Sequence, residues 1–254
     1  MEEKEQITQQ LVLFNKEECS FEEIYGGLKI CVTPDHKFGT DAFLLSDFAQ
    51  IRWKDTAIDL GTGCGIIPLL WFREMADAPK IAYGVDIQPK AVWQFRQTVD
   101  ACGLGQRLIP VEADLKDLKG RVPMGSFDLV TCNPPYKAAS TGILNQMDSH
   151  TIARHEVLCS IGDVCKAAAR LLKFGGRLCI CQRPERLLDT LEAMRQAKVE
   201  PKRLRFVQKQ GDTAPWLFLV EGRQGGKPYL KVEAPFIVQE EGGFSKELQA
   251  VYRL

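Results

Sequence analysis

The sequence predicts an α/β fold: a doubly wound, mostly parallel seven-stranded sheet with a short N-terminal hairpin extension. Three observations carry that expectation. Short apolar runs rich in strand formers alternate with segments of helical periodicity along most of the 254 residues. The first such run, residues 56–60, enters a glycine loop, Gly61-Thr62-Gly63-Cys64-Gly65, and a helical pattern opens directly after it. Acidic residues, Asp86 and Asp114, then end the next two runs, on the edge of a parallel sheet where ligands bind.

The elements follow in order. Residues 1 to about 20 are polar and are expected to be loosely docked. Between Ile24 and Val32 a hairpin turns through Gly26-Gly27, with Leu28, Ile30 and Val32 alternating with Lys29 and Cys31. Pro34 and Gly39 punctuate a loop, after which Thr40 or Asp41 is expected to cap a helix carrying Phe43, Leu44, Leu45 and Phe48. The strand at 56–60 and its glycine loop lead to a helix from Ile66, with Pro68 tolerated in the first turn. A second strand spans 81–85 and ends at Asp86. A helix from about Pro89 carries Ala91, Val92, Phe95 and Val99. The third strand spans 107–112, and the fourth, 127–132, runs into Asn133-Pro134-Pro135-Tyr136. The stretch 137–156 has little periodicity, and loops of that length inside a compact domain tend to be functional or mobile. An amphipathic helix is expected from Ile161 to Leu172, stopped by Phe174-Gly175-Gly176. Then come a strand at 177–181, a helix at 184–197 and strands at 203–208 and 216–221. Residues 230–238 read as an edge strand, because Pro235 has no N–H for a central ladder. The expected division is an extension over 1–50 and one compact unit over 51–254.

The totals exclude several classes. Thirty-three basic and 33 acidic residues cancel, so a nucleic-acid partner would be held by a local patch, without a global field. No apolar run approaches the ~18 residues of a membrane span, and the charged start lacks the apolar core of a signal peptide. The nine cysteines show no framework spacing and read as reduced thiols of a cytoplasmic protein. Cys179 and Cys181 fall on one face of a strand as small core residues. His36, His150 and His155 have no zinc-ligand spacing, so no metal is expected.

The candidate chemistry sits at the turns. Pro134 and Pro135 stiffen the turn after the fourth strand, which aims the Asn133 amide, the nearby carbonyls and the Tyr136 ring. Two acceptors and a flat π-surface suit a planar amide or an aromatic amine. The glycine loop lacks the third spaced glycine of a dinucleotide fingerprint, since Ile66 stands there, and no phosphate-binding P-loop is present. Asp59 and Gly61, Gly63 and Gly65 therefore suit a ligand without a pyrophosphate, such as S-adenosylmethionine. Asp86 stands where a ribose diol would lie.

These motifs together resemble the class I SAM-dependent methyltransferases of the N-P-P-Y type, with a Rossmann-like core. Lys37-Phe38-Gly39-Thr40-Asp41 and Ala153-Arg154-His155-Glu156 are similar to segments of the family that includes the tRNA1(Val) adenine-37 N6-methyltransferase. The resemblance implies S-adenosyl-L-methionine as cofactor. Gly61, Gly63 and Gly65 would line its methionine part, with Asp59 supporting the amino group. Asp86 would accept the ribose hydroxyls and Asp114 the adenine amino group, while Gly39, Thr40 and Asp41 would close over the methionine end. Asn133 and the Pro134 carbonyl would hold the target amine, and Pro135 and Tyr136 would contact the target base. Arg154 and His155 would order the substrate. Lys198, Lys202, Arg203 and Arg205 form a further basic cluster, readable as an RNA contact or as solvated charge.

The function implied is methyl transfer to adenine N6 in tRNA near the anticodon, by a monomer or homodimer. Protein glutamine N5-methylation and rRNA guanine N2-methylation share the acceptor chemistry and stand as alternatives, with DNA adenine methylation further off. From other classes, a nicotinamide oxidoreductase and a non-catalytic RNA-binding protein on the same fold remain.

Overall fold

The structure, a computed structural model, describes residues 19–33, 38–134 and 159–254. The hairpin is present but begins earlier than expected. Strand β1 (Ser20–Ile24) pairs antiparallel with β2 (Leu28–Val32), Ser20 opposite Val32 and Ile24 opposite Leu28. Gly26, at φ 84°, makes the turn, and a Cβ there would stand 2.8 Å from the Arg73 carbonyl oxygen. The expected alternation fails at Cys31, which is fully buried along with Ile30. Its backbone is claimed by the helix α3 (Pro89–Ala101): Cys31 N–H donates to Thr98 Oγ1 (3.0 Å) and Gln94 Nε2 donates to the Cys31 carbonyl (3.2 Å). A helix covers that face, so neither face of β2 is left to solvent except at Lys29.

Seven long strands make the central sheet: β3 (Thr56–Leu60), β4 (Ile81–Asp86), β5 (Leu108–Glu112), β6 (Phe127–Cys132), β7 (Leu172–Gln182), β8 (Val199–Gln208) and β9 (Pro215–Gln224). Their spatial order is β5-β4-β3-β6-β7-β9-β8, and only β9 runs antiparallel to its neighbours. The seven-stranded, doubly wound expectation is met, and two short pieces extend it to nine strands. These are β10 (Lys231–Val232) and β11 (Phe236–Ile237), both parallel to β8 on its outer edge. The expected strand over 230–238 is thus an edge element, interrupted around Pro235.

Helices cover both faces. On one face, α1 (Thr40–Phe48), α2 (Ile66–Leu70), α3 and α6 (Lys246–Tyr252) pack on Ala57, Ala82, Leu129, Cys179 and Cys181. On the other, α4 (Ile161–Leu171) and α5 (Leu187–Gln196) pack with Ile58, Leu60, Val85, Val130 and Ile180. Period-2 alternation along β3 and β7 splits the two cores. Helix α4 starts with a capping box in which Ser160 and Asp163 exchange hydrogen bonds. Its end differs from expectation. The chain enters β7 at Leu172, and Gly175 and Gly176 lie inside that strand. They serve a bulge between Phe127 and Leu129 of β6, where a Cβ on Gly176 would meet the Phe127 carbonyl at 2.8 Å.

The end of α1 is held by two arginines. Arg177 donates to the carbonyls of Ala49 (2.6 Å) and Gln50 (3.2 Å) and pairs with Asp55 at 3.1 Å and Glu221 at 3.6 Å. Arg203 donates to the Phe48 carbonyl, stacks on the Phe48 ring at 4.0 Å and shares Glu221 at 3.2 Å. Arg177 is only 5% exposed. Removing it takes the ion-pair partner from Asp55, one of two arginines from Glu221 and two hydrogen bonds from the end of α1 in a low-dielectric interior. Arg177→Met is expected to lower unfolding free energy by about 3–5 kcal/mol, measured by urea denaturation.

Candidate active site

The site lies where the chain reverses direction across the sheet. From β3 the winding goes outward through β4 and β5, then returns to β6 on the other side of β3. The carboxyl ends of β3 and β6 therefore send their following loops apart and leave a crevice. Leu60 is in register with both Val85 and Cys132, so Gly61, Asp86 and Asn133 follow three adjacent strand ends.

The glycine loop has two kinds of glycine. Gly61, Gly63 and Gly65 have φ of 71°, 56° and 84°, the left-handed region. Around Gly61 and Gly63 a Cβ would meet no atom of the described residues within 4 Å, whereas at Gly65 it would overlap the Phe95 ring at 2.0 Å. The first two keep an open cradle, and the third lets α2 pack against α3. Gly61 and Thr62 both donate to the Val85 carbonyl, at 2.8 and 3.0 Å, which folds the loop over the end of β4. Cys64 points inward, and burial pushes its thiol up to about 12, so it serves packing.

Three acids mark the same edge. Asp86 Oδ2 accepts from Gly63 N–H (2.8 Å) and Oδ1 from Gln88 N–H (2.9 Å), which fixes both oxygens and ties the loop to β4. Ala113 N–H donates to the Asp86 carbonyl at 3.0 Å and so brings Asp114 alongside. Asp114 Oδ1 accepts from Lys116 N–H at 2.8 Å, and its carboxylate stays partly exposed. Asp59 is fully buried: Oδ1 accepts from the Thr131 hydroxyl at 2.6 Å, and Oδ2 has no hydrogen-bond partner among the described residues. Burial pushes its pKa up to about 7, against the pull of the hydroxyl contact.

The first turn of α1 departs from expectation. Gly39, in extended conformation, is the N-cap, and neither Thr40 nor Asp41 caps the helix. Each is inside the first turn and turned to another element. Thr40 Oγ1 lies 2.7 Å from the Tyr252 hydroxyl of α6, and Asp41 Oδ2 accepts from Asn133 Nδ2 at 3.0 Å. Asn133 Oδ1 in turn accepts from Cys181 Sγ at 2.8 Å. Thus Gly39, Thr40, Asp41, Asn133 and Pro134 gather beside the glycine loop's edge. Pro135, Tyr136, Arg154 and the three histidines, His36, His150 and His155, lie outside the described residues.

Sequence reading missed Thr131, Cys181 and Tyr252. Thr131 carried one signal, a polar residue within an apolar strand. Cys181 looked like simple core, and the helix bearing Tyr252 gave no pattern strong enough to assign. The basic cluster is largely structural: Arg203 joins the buried network, Arg205 pairs with Glu247 at 2.7 Å, and Lys202 donates to the Lys227 carbonyl at 2.8 Å. Among the described residues no cluster of His, Cys, Asp or Glu could hold a metal ion, and no helix is long and apolar enough to cross a membrane.

The residues present fit the cofactor that the sequence resemblance implies. The cradle over Gly61 and Gly63 is open, the unpartnered Asp59 oxygen can take an ammonium group, and Asp86 holds two aligned oxygens at a strand end. The model of the methyltransferase small domain matches residues 37–202, a span that holds the glycine loop, Asp86, Asp114 and Asn133. The chain belongs to the methyltransferase small domain family. Methyl transfer is therefore its chemistry. Among curated relatives, a tRNA1(Val) (adenine(37)-N6)-methyltransferase from Histophilus somni is 28% identical over 167 residues, 64% of this chain and 66% of that protein. One of the same name from Porphyromonas gingivalis is 29% identical over 201 residues, 70% of this chain and 76% of that one. In fold, the chain resembles a predicted O-methyltransferase from Agrobacterium tumefaciens, with TM-score 0.65 and 19% identity over 84% of this chain and 95% of that one. It also resembles M. jannaschii TYW2 in complex with AdoMet, with TM-score 0.54 and 14% identity over 83% and 88% of the two chains.

The Asp59 environment sets a pH dependence. Its folded pKa lies above the ordinary carboxylate value, so between about pH 4 and 7 the folded state binds more protons than the unfolded state. Its contribution to stability therefore falls as pH rises through that window. Asp59→Asn is expected to raise the melting temperature more at pH 8 than at pH 4.5, measured by thermal melts of the ligand-free chain.

Proposed function

We propose that the chain transfers a methyl group from S-adenosyl-L-methionine to the exocyclic N6 of an adenine in tRNA, at or near position 37 beside the anticodon. The observation that carries the reading is the Asn133-Pro134 turn at the end of β6, facing the glycine-loop edge, in a chain whose relatives bear that activity in their names. S-adenosyl-L-methionine supplies an electrophilic methyl group on a sulfonium. Gly61 and Gly63 line its methionine part, with Asp59 receiving the ammonium, while Gly65, implied beside them by the sequence resemblance, gives its room to Phe95. Asp86 accepts from the ribose hydroxyls and Asp114 from the adenine amine. Gly39 and Thr40, at the start of α1, close over the methionine end.

Adenine N6 is a weak nucleophile because its lone pair is delocalised into the ring. Two acceptors, Asn133 Oδ1 and the Pro134 carbonyl, bind its two hydrogens and draw the nitrogen toward a pyramidal geometry. They also stabilise the positive charge that develops on nitrogen as the methyl group arrives, an effect strongest where water is excluded. In-line positioning supplies much of the remainder. The S–CH3 bond breaks with its electron pair to sulfur, which leaves as S-adenosyl-L-homocysteine. The cationic N-methyl nitrogen, now strongly acidic, releases one proton to water, so no strong general base is required. Pro135 and Tyr136 hold the target base, and Tyr136 stacking contributes roughly 1–3 kcal/mol. Arg154 and His155 order the RNA around it. An anticodon loop presents its bases single-stranded, which lowers the cost of turning one out of its stack.

Mass spectrometry of tRNA nucleosides tests the substrate. Deleting the gene is expected to remove N6-methyladenosine from one tRNA species, and purified chain with S-adenosyl-L-methionine is expected to restore it. Unchanged nucleosides in every tRNA would reject the reading. Two variants separate the roles. Asn133→Ala is expected to lower kcat by about 10²–10³-fold with little change in cofactor affinity, as for loss of a preorganised polar group. Asp86→Ala is expected to weaken cofactor binding first, read by calorimetry.

A further inference from the structure

Asn133 is held at both ends of its amide. Nδ2 donates to Asp41 Oδ2 at 3.0 Å, and Oδ1 accepts from Cys181 Sγ at 2.8 Å. An ionised carboxylate only accepts, so the edge turned to Asp41 is the NH2 edge. A thiol hydrogen is a donor, so the edge turned to Cys181 is the carbonyl edge. Both contacts select the same one of two orientations that differ by a half-turn of the amide.

Asp41 is itself fixed. Its Oδ1 accepts from Ala42 N–H at 3.0 Å, and Gly39 leaves it room, since a Cβ there would stand 2.7 Å from that oxygen. Beside it, Thr40 is tied to Tyr252, and the far end of α1 is anchored by Arg177 and Arg203. Cys181 is fixed by the β7–β9 ladder, opposite Leu219.

We propose that Asp41 and Cys181 are positioning residues that set the direction of the Asn133 amide, so that its oxygen and not its NH2 faces the nitrogen to be methylated. The proposal rests on the role given to Asn133 above. It also moves Asp41 from the cofactor-closing role implied by the sequence resemblance to the acceptor side of the reaction. A reversed amide would present two hydrogens to an amine that itself carries two, and the acceptor would be lost. The thiol suits its place because it is a weak donor, so the S–H gives way to the incoming N–H at small cost. Loss of Asp41 would free the amide to turn, whereas loss of Cys181 would leave the Asp41 contact in force.

The test uses the full chain and two near-isosteric variants. In a ¹⁵N–¹H spectrum, the Asn133 side-chain pair is identified by its disappearance in Asn133→Ala. Asp41→Asn is expected to move that pair and to lower kcat on tRNA about tenfold or more, the scale of one charge-assisted hydrogen bond. Affinity for S-adenosyl-L-homocysteine is expected to stay as in the parent chain. Cys181→Ser, a stronger donor on the same oxygen, is expected to raise KM for RNA more than it lowers kcat. Coincident Asn133 resonances in the parent and Asp41→Asn would overturn the proposal. So would S-adenosyl-L-homocysteine affinity falling in step with kcat, which would return Asp41 to the cofactor. If the parent chain methylates no tRNA, the substrate reading fails, and the spectrum still decides the amide clamp because it needs no substrate.

Discussion

Arg177 has almost no access to water, yet it carries a full charge between a helix end and three strands. Its guanidinium collects the carbonyls that close α1 and the carboxylates of Asp55, just before β3, and Glu221 of β9. A cation at a helix C-terminus also meets the negative end of the macrodipole. Burying such a cluster gives weak net stabilisation, because desolvation opposes the pairing. Its consequence is geometric. With that end pinned to the sheet, the other end of α1 is delivered to the crevice, where Asp41 meets Asn133. The Asp41–Asn133 contact thus depends on an ion cluster at the opposite end of one nine-residue helix.

The cofactor side is built differently. There the glycine loop is shaped by backbone hydrogen bonds to Val85 and by the Asp86 carboxylate. The same acid that is proposed to take the ribose first holds the loop in which the cradle forms. Asp59 stands behind it, its pKa pushed up to about 7 by burial, with one oxygen satisfied by Thr131 of β6 and the other without a partner among the described residues. A carboxylate kept in that state costs the ligand-free protein stability, a cost that the proposed ammonium contact would offset. Thr131 and Asn133 belong to the same strand and turn, so β6 supports both sides of the crevice.

The neutral overall charge gains meaning once the pairs are visible. Arg177, Arg203 and Arg205, which give the sequence much of its local basic character, are spent on carbonyls and carboxylates inside the fold. A charge cluster in a sequence does not say whether its partners are solvent, RNA or the chain itself. Residues 203 and 205 lie in one strand, β8, and their pairs with the Phe48 carbonyl, Glu221 and Glu247 are made within the chain.

The succession of strands and helices along the chain, the glycine loop and the acids at strand ends were legible in the sequence, because periodicity and turn chemistry are local and survive in one dimension. Asp59, Asp86 and Asn133 could be placed on one edge before any coordinates, since a parallel sheet puts every strand's carboxyl end there. The glycine pair at 175–176 misled, because its room was needed for a β-bulge and not for a helix stop. Helix α6 was invisible, with seven residues and two buried side chains. What only the tertiary structure decided is which groups hold the Asn133 amide. Asp41 stands 92 residues before Asn133, and Cys181 stands 48 after it. A helix crossing and a strand register bring the three together, and neither is written in the spacing of residues along the chain.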